Sequence, residues 1–80
     1  MKVNMKMPDL ATNEGAELAV ARWLVGVGEP IKRGQVIAEV ETDKAVQEVE
    51  SIVSGIVQAL HVEPGQSISV GAIIATIEKD

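Results

Sequence analysis

The run Val40-Glu41-Thr42-Asp43-Lys44-Ala45-Val46 sets one primary amine between two β-prone stretches. Thr42-Asp43-Lys44-Ala45 contains no Gly and no Pro. Asp suits the early positions of a type I turn, where its carboxylate bonds backbone N–H groups. A two-residue hairpin over these positions puts Asp43 and Lys44 at its apex and projects the amine into water. Such an amine is open to acylation, but an ordinary solvated turn lysine looks the same, and the turn alone does not separate the two.

Other side chains offer less chemistry. His61 is the only histidine and there is no cysteine, which removes multi-His and thiolate metal sites; no metal is expected. Ser51, Ser54 and Ser67 with His61 and several acids allow a Ser-His-Asp set on paper. Eighty residues leave no sizeable pocket to house one, so no catalytic residue is expected, and His61 reads as a strand-surface residue. Trp23 reads as core or half-buried. Glu39, Glu41, Asp43, Glu48 and Glu50 flank the lysine. They read equally as a solvated sheet face or as a recognition surface, except Glu41 and Asp43, which read as functional.

The elements that position Lys44 follow from composition and punctuation. Eighty residues make one domain, spanning 1–80. Such a length buries only about 60% of the surface its unfolded chain exposes, so the core is modest. The chain is 46% hydrophobic with one Trp, no Phe and no Tyr, so that core must be Val, Ile, Leu and Ala, and Val and Ile favour pleated sheet. Seven glycines and three prolines break the apolar runs into short pieces. The net charge of −5 lacks the basic stripe that nucleic acid or an anionic membrane surface requires. No apolar run approaches the roughly 20 residues of a membrane span, and Met1 to Lys6 lacks the apolar stretch of a signal peptide.

About eight short strands are expected: Lys2 to Met7, Leu18 to Leu24, a short one at Ile31, Val36 to Glu41, Val46 to Glu50, Gly55 to Val62, a short one at Ile68, and Ile73 to Ile77. Ala16 to Leu24 is the only stretch readable as helix, and it lacks a clear cap at either end. The fold class is therefore all-β, a sandwich or flattened barrel of two antiparallel sheets.

An internal repeat refines this. At an offset of 37, Gly28, Ile31, Gly34, Ile37, Ala38 and Glu41 fall on Gly65, Ile68, Gly71, Ile74, Ala75 and Glu78. Val36 and Val40 fall on Ile73 and Ile77, and farther back Val20 falls on Val57 and Trp23 on Leu60. A period near half the chain implies two similar halves related by a pseudo-two-fold, each completing the other's core. Lys44 shifted by the same offset falls just past Asp80. The dyad therefore puts the lysine hairpin and the chain end at opposite ends of the molecule, where a tether would leave Lys44 free.

Glu41-Thr42-Asp43-Lys44-Ala45 resembles the signature of the lipoyl domains of 2-oxo acid dehydrogenase complexes, in particular those of dihydrolipoyl acyltransferase (E2) components, in the biotinyl/lipoyl attachment family. The resemblance covers essentially the whole chain: Met7-Pro8-Asp9-Leu10, Trp23-Leu24-Val25 with Gly28-Glu29-Pro30-Ile31, Glu48-Val49-Glu50-Ser51, Ser54-Gly55, and Pro64 to Gly71. In that family the lysine has a Glu three residues before it and glycines sixteen before and eleven after, here Glu41, Gly28 and Gly55. The resemblance implies covalent lipoic acid on Lys44, with Glu41, Asp43, Ala45, Gly28 and Gly55 serving ligase recognition and hairpin positioning. One departure stands out. Leu18 occupies the place five residues before Trp23 where the family usually has Gly. The loop before it, which in relatives lies near the arm and helps the decarboxylase choose its carrier, is expected to be longer or differently shaped.

The chemistry so implied is amide formation. A solvated lysine, with a pKa near 10.4, is neutral in only about 1 in 10³ to 10⁴ molecules at pH 7, and Asp43 and Glu41 favour the cation. The ligase must then supply deprotonation, and the domain exposure and placement. Acylation would take the net charge from −5 to −6. The implied partners are a lipoate ligase or lipoyl transferase, a thiamine-diphosphate-dependent 2-oxo acid decarboxylase (E1), the acyltransferase core (E2) and the flavin enzyme dihydrolipoyl dehydrogenase (E3). The domain itself would be a monomeric, non-catalytic swinging arm of a larger acyltransferase, in bacterial cytoplasm by preference or in the mitochondrial matrix. Asp-Lys-Ala leans toward pyruvate, acetoin or branched-chain complexes over 2-oxoglutarate. The alternatives are an unmodified barrel serving as a binding or structural module, and biotin in place of lipoate; Met5-Lys6-Met7 copies the Met-Lys-Met of biotin-carrier domains. That motif sits in the first strand here, where Met5 and Met7 share a face, at least one of them in the core, and Lys6 faces solvent.

Overall fold

The structure is a computed structural model that describes residues 1–8, 18–42 and 45–79. Its strands are β1 (Lys2–Lys6), β2 (Leu18–Trp23), β3 (Pro30–Ile31), β4 (Val36–Glu41), β5 (Val46–Glu50), β6 (Gly55–Leu60), β7 (Ser67–Ile68) and β8 (Ile73–Lys79). No described residue is helical, and the stretch readable as helix is β2 from Leu18 onward. Two four-stranded sheets form, in the orders β1-β8-β6-β3 and β5-β4-β2-β7, with every pairing antiparallel. The molecule is a flattened barrel-sandwich measuring 36 × 20 × 19 Å.

Differences from the expected boundaries are small and have physical causes. β2 stops at Trp23 and β6 at Leu60: the N–H groups of Leu24 and His61 make one more bond each to the partner strand, to the carbonyls of Ile37 and Ile74, before the chain bends away. β8 runs on to Lys79, because Glu78 pairs with Lys2 and Lys79 with Gly55.

The repeat is a structural two-fold. Adding 37 carries β2 onto β6, β3 onto β7, and β4 onto residues 73–78 of β8. The bulges repeat as well. Ala21 is the extra residue between Val20 and Arg22 against β4, and Gln58 is the extra residue between Val57 and Ala59 against β8. Ile37 and Ile74 are extra on β4 and β8 against β5 and β1. Those two bulges explain how neighbouring residues, Ile37 with Ala38 and Ile74 with Ala75, are both buried in strands that should alternate.

The core lies between the sheets and is built from matched pairs: Val20 with Val57, Val25 with Val62, Ile37 with Ile74, Ala38 with Ala75, and Val40 with Ile77, all buried. Met5 and Met7 are both buried, at the places that Val49 and Ser51 fill in the other half. Each fully buried Ile or Val contributes about 1.5–3 kcal/mol relative to exposure. Ser51 is buried without cost in unpaired groups, since its hydroxyl donates to the Val53 carbonyl at 2.6 Å and accepts from the Val53 N–H at 3.3 Å.

Candidate functional site

The hairpin between β4 and β5 is set by their ladder. Val40 lies opposite Gln47 and Glu41 opposite Val46, which makes Thr42 and Ala45 the next facing pair. The Thr42 N–H donates to the Ala45 carbonyl at 2.8 Å. The Thr42 hydroxyl donates to that same carbonyl at 2.8 Å and accepts from the Ala45 N–H at 3.1 Å. Only two residues, Asp43 and Lys44, join the two stems, as a two-residue hairpin requires. Asp43 and Lys44 themselves lie outside the described residues. The bracket around them is closed; Thr42 is half-buried, while Glu41 and Ala45 are exposed and Val46 is 55% exposed although apolar.

Of the flanking acids in the described residues, the structure brings only Glu41 to the bracket. Glu39 and Glu48 face each other mid-ladder, and Glu50 lies opposite Val36 at the far end of β4. Like charges directly opposite are unfavourable, and Arg22 offsets this pair through its 2.6 Å contact from Nε to Glu39 Oε1. The acids therefore form a stripe along the outer face of β4 and β5, touching the tip at one end.

The two glycines occupy different places. Gly28 has φ +92°, open space where a Cβ would sit, and an N–H that donates to the Val57 carbonyl of β6 at 2.8 Å. Gly65 repeats all three features, with φ +87° and a 2.9 Å bond to Val20 of β2. Both clip a turn of one half onto a strand of the other, in a backbone region that residues with a Cβ avoid. Gly55 is buried in β6 beside Lys79. A Cβ there would run into the Glu78 carbonyl oxygen and come within 3.0 Å of Ile77 Cγ2. Gly55, Arg33, Ser54 and Lys79 cluster at the end of the molecule where β4 begins. Glu41 is five residues along β4, about 17 Å away. Gly55 thus packs against Glu78 and Ile77 and makes no contact with the hairpin.

The remaining candidates separate. Ser51 and Ser54 precede β6 and His61 follows it, which parts them by the length of the strand, while Ser67 pairs with Ala19. His61 is exposed, and its Nε2 lies 2.7 Å from the Thr76 hydroxyl, which donates to Asn4 Oδ1 at 3.0 Å. Trp23 is half-buried, with Nε1 donating to the Val62 carbonyl at 3.0 Å. Lys6 is exposed on β1, in a ladder with Ile73 and not at a turn. The loop before Leu18 lies outside the described residues.

The family model described as "Biotin-requiring enzyme", the biotin/lipoyl attachment domain, matches residues 3–77. The chain belongs to the biotin/lipoyl family. Within it, the chain is similar to lipoyl domains. It is 40% identical over 78 residues to the dihydrolipoyllysine-residue acetyltransferase component of the pyruvate dehydrogenase complex of Zymomonas mobilis, covering 96% of this chain and 18% of that protein. It is 45% identical over 75 residues to the lipoamide acyltransferase component of the branched-chain alpha-keto acid dehydrogenase complex of Pseudomonas putida, covering 92% of this chain and 17% of that one. The chain thus spans under a fifth of the length of these relatives. The solution structure of the lipoyl domain of the 2-oxoglutarate dehydrogenase complex from Azotobacter vinelandii superposes with a TM-score of 0.77 at 27% identity, covering 96% of each chain. This biotin/lipoyl domain is therefore a carrier domain of the lipoyl type, and its family implies covalently attached lipoic acid. Sequence reasoning overlooked one residue of the site, Thr42. A Thr at a hairpin mouth, able to bond backbone two or three residues on, is the signal that was available.

Proposed function

We propose that Lys44 carries the lipoyl group and that the domain is a non-catalytic swinging arm of an E2 acyltransferase. The observation that supports this most is the bracket. Thr42 and Ala45 close the hairpin mouth, only Asp43 and Lys44 span it, and Glu41, Ala45 and Val46 beside it are exposed. These neighbours form no wall that would have to enclose a cofactor, which suits a group held by one amide bond and otherwise free. In the attachment step the neutral Nζ attacks the carbonyl of an activated lipoyl donor supplied by a ligase. The N–C bond forms, the donor's leaving group departs with its bonding pair, and Nζ gives up one proton.

Once attached, the dithiolane supplies acyl-carrying and redox chemistry. The protein's part is tethering, which raises the local concentration at each partner's active site to the millimolar order. The partners proposed on this reading are the ligase, a thiamine-diphosphate-dependent decarboxylase, the acyltransferase core and dihydrolipoyl dehydrogenase. Glu41, Asp43, Ala45, Gly28 and Gly55 are proposed as the residues by which the ligase reads the hairpin or the fold holds it in place. A bacterial cytoplasm fits the ligase and decarboxylase this requires.

The discriminating test offers the purified apo domain lipoate with a lipoate ligase and, separately, biotin with a biotin ligase. A lipoyl mass increment alone is expected. A biotin increment alone, or none with the domain folded, contradicts the proposal.

A further inference from the structure

The two-fold allows the lysine hairpin to be compared with its own counterpart, and the comparison isolates Thr42. Shifted through the dyad, Thr42 falls on Lys79 and Ala45 on Met1. There the Lys79 N–H donates to the Met1 carbonyl at 2.8 Å, and the Met1 ammonium donates to the Lys79 carbonyl at 3.1 Å. The backbone closure from the first residue of each pair to the second is therefore what the barrel makes at both ends. The hydroxyl is not. At the lysine end one oxygen gives its proton to the Ala45 carbonyl and takes the Ala45 N–H. Lys79 has no side-chain acceptor with which to do the same. The barrel closes without this clamp at one end and has it at the end that bears Lys44.

We infer that Thr42 is a positioning residue for acylation of Lys44. The inference rests on the carrier reading above and deepens it. Thr is β-branched and stiff at χ1, so a hydroxyl bonded twice to Ala45 holds both stems of the Asp43-Lys44 link in one geometry. The ligase must place an amine that is rarely neutral against an activated carboxyl, and it selects tips already in that geometry. Loosening the stems lowers the fraction of competent tips. The apparent affinity falls by that fraction while the chemical step in the bound state is unchanged.

The test compares wild type, Thr42→Val and Thr42→Ser as apo domains in a lipoate ligase assay read by intact mass, with amide exchange followed in parallel. Thr42→Val keeps the shape and loses the hydroxyl. It is expected to raise KM about tenfold, from the loss of two hydrogen bonds of ordinary net strength, and to leave kcat unchanged. Thr42→Ser is expected to restore the wild-type KM. Exchange at Ala45 should quicken in Thr42→Val, while Val40 and Val49 keep wild-type protection. A Thr42→Val domain with the wild-type KM, or a Thr42→Ser domain as impaired as Thr42→Val, overturns the inference and leaves the carrier reading standing. A folded wild-type domain that accepts no lipoyl group overturns both.

Discussion

The N–H of Lys79 donates to the carbonyl of Met1 at 2.8 Å, and the Met1 ammonium returns a bond to the Lys79 carbonyl at 3.1 Å. The two ends of the chain thus face each other as the last pair of a hairpin does. One end of the barrel has Asp43-Lys44 between its facing pair, and the other has Met1 and Lys79 as its facing pair. Thr42 with Ala45 and Lys79 with Met1 are equivalent pairs in two equivalent halves, at opposite ends of the barrel.

Backbone cyclisation tests that equivalence. Asn-Gly replacing Asp80 and joined to Met1 supplies the two-residue turn that the facing pair calls for. The cyclic domain is expected to keep the fold and gain on the order of 2–4 kcal/mol in urea denaturation, as for a cross-link closing a long loop. A cyclic domain less stable than the linear one would show that the ends do not form a hairpin mouth.

Gly55 tests the closest approach of β6 to β8. Gly55→Ala drives a methyl into the Glu78 backbone, which cannot yield as a flexible side chain would. A loss of about 2–3 kcal/mol is expected by thermal or chemical denaturation. Because Gly55 lies at the end remote from the hairpin, the variant should accept lipoate at the wild-type rate at temperatures where it is folded. Slowed ligation in a fully folded Gly55→Ala domain would assign Gly55 a part in recognition beyond the fold.

Gly28 and Gly65 make a matched pair for the same question. Each has φ near +90° and no steric neighbour, so Ala at either should cost about 1–2 kcal/mol from backbone strain alone. Equal losses by urea denaturation mean that Gly28 serves a turn used in both halves. A loss at Gly28 several times that at Gly65 would contradict this symmetry.

Much of this architecture was legible in the sequence because the repeat is. The glycines in register at 28/65 and 34/71 and the Ile-Ala pairs at 37/74 mark the same turns and the same inward positions twice. The bulges were not legible, since Ala21 and Gln58 are ordinary strand residues and an inserted residue leaves no compositional mark. The role of Gly55 could have been suspected from the repeat itself. Its counterpart is Leu18, fully buried in the core, so a side chain is missing in one half where the other has one. For Lys44, the residue types told little and the spacing to Glu41, Gly28 and Gly55 told more. The hydroxyl clamp of Thr42 depends on a rotamer that no spacing reveals.

The most direct measurement is the mass of the peptide bearing residue 44 after ligation. The wild-type domain, incubated with lipoate, ATP and a lipoate ligase and then digested, should yield a single lipoylated peptide that contains Lys44. Lys44→Arg, folded to the same extent by circular dichroism, should yield none. A lipoyl group on Lys6 or any other lysine, or an increment that survives in Lys44→Arg, would contradict the account.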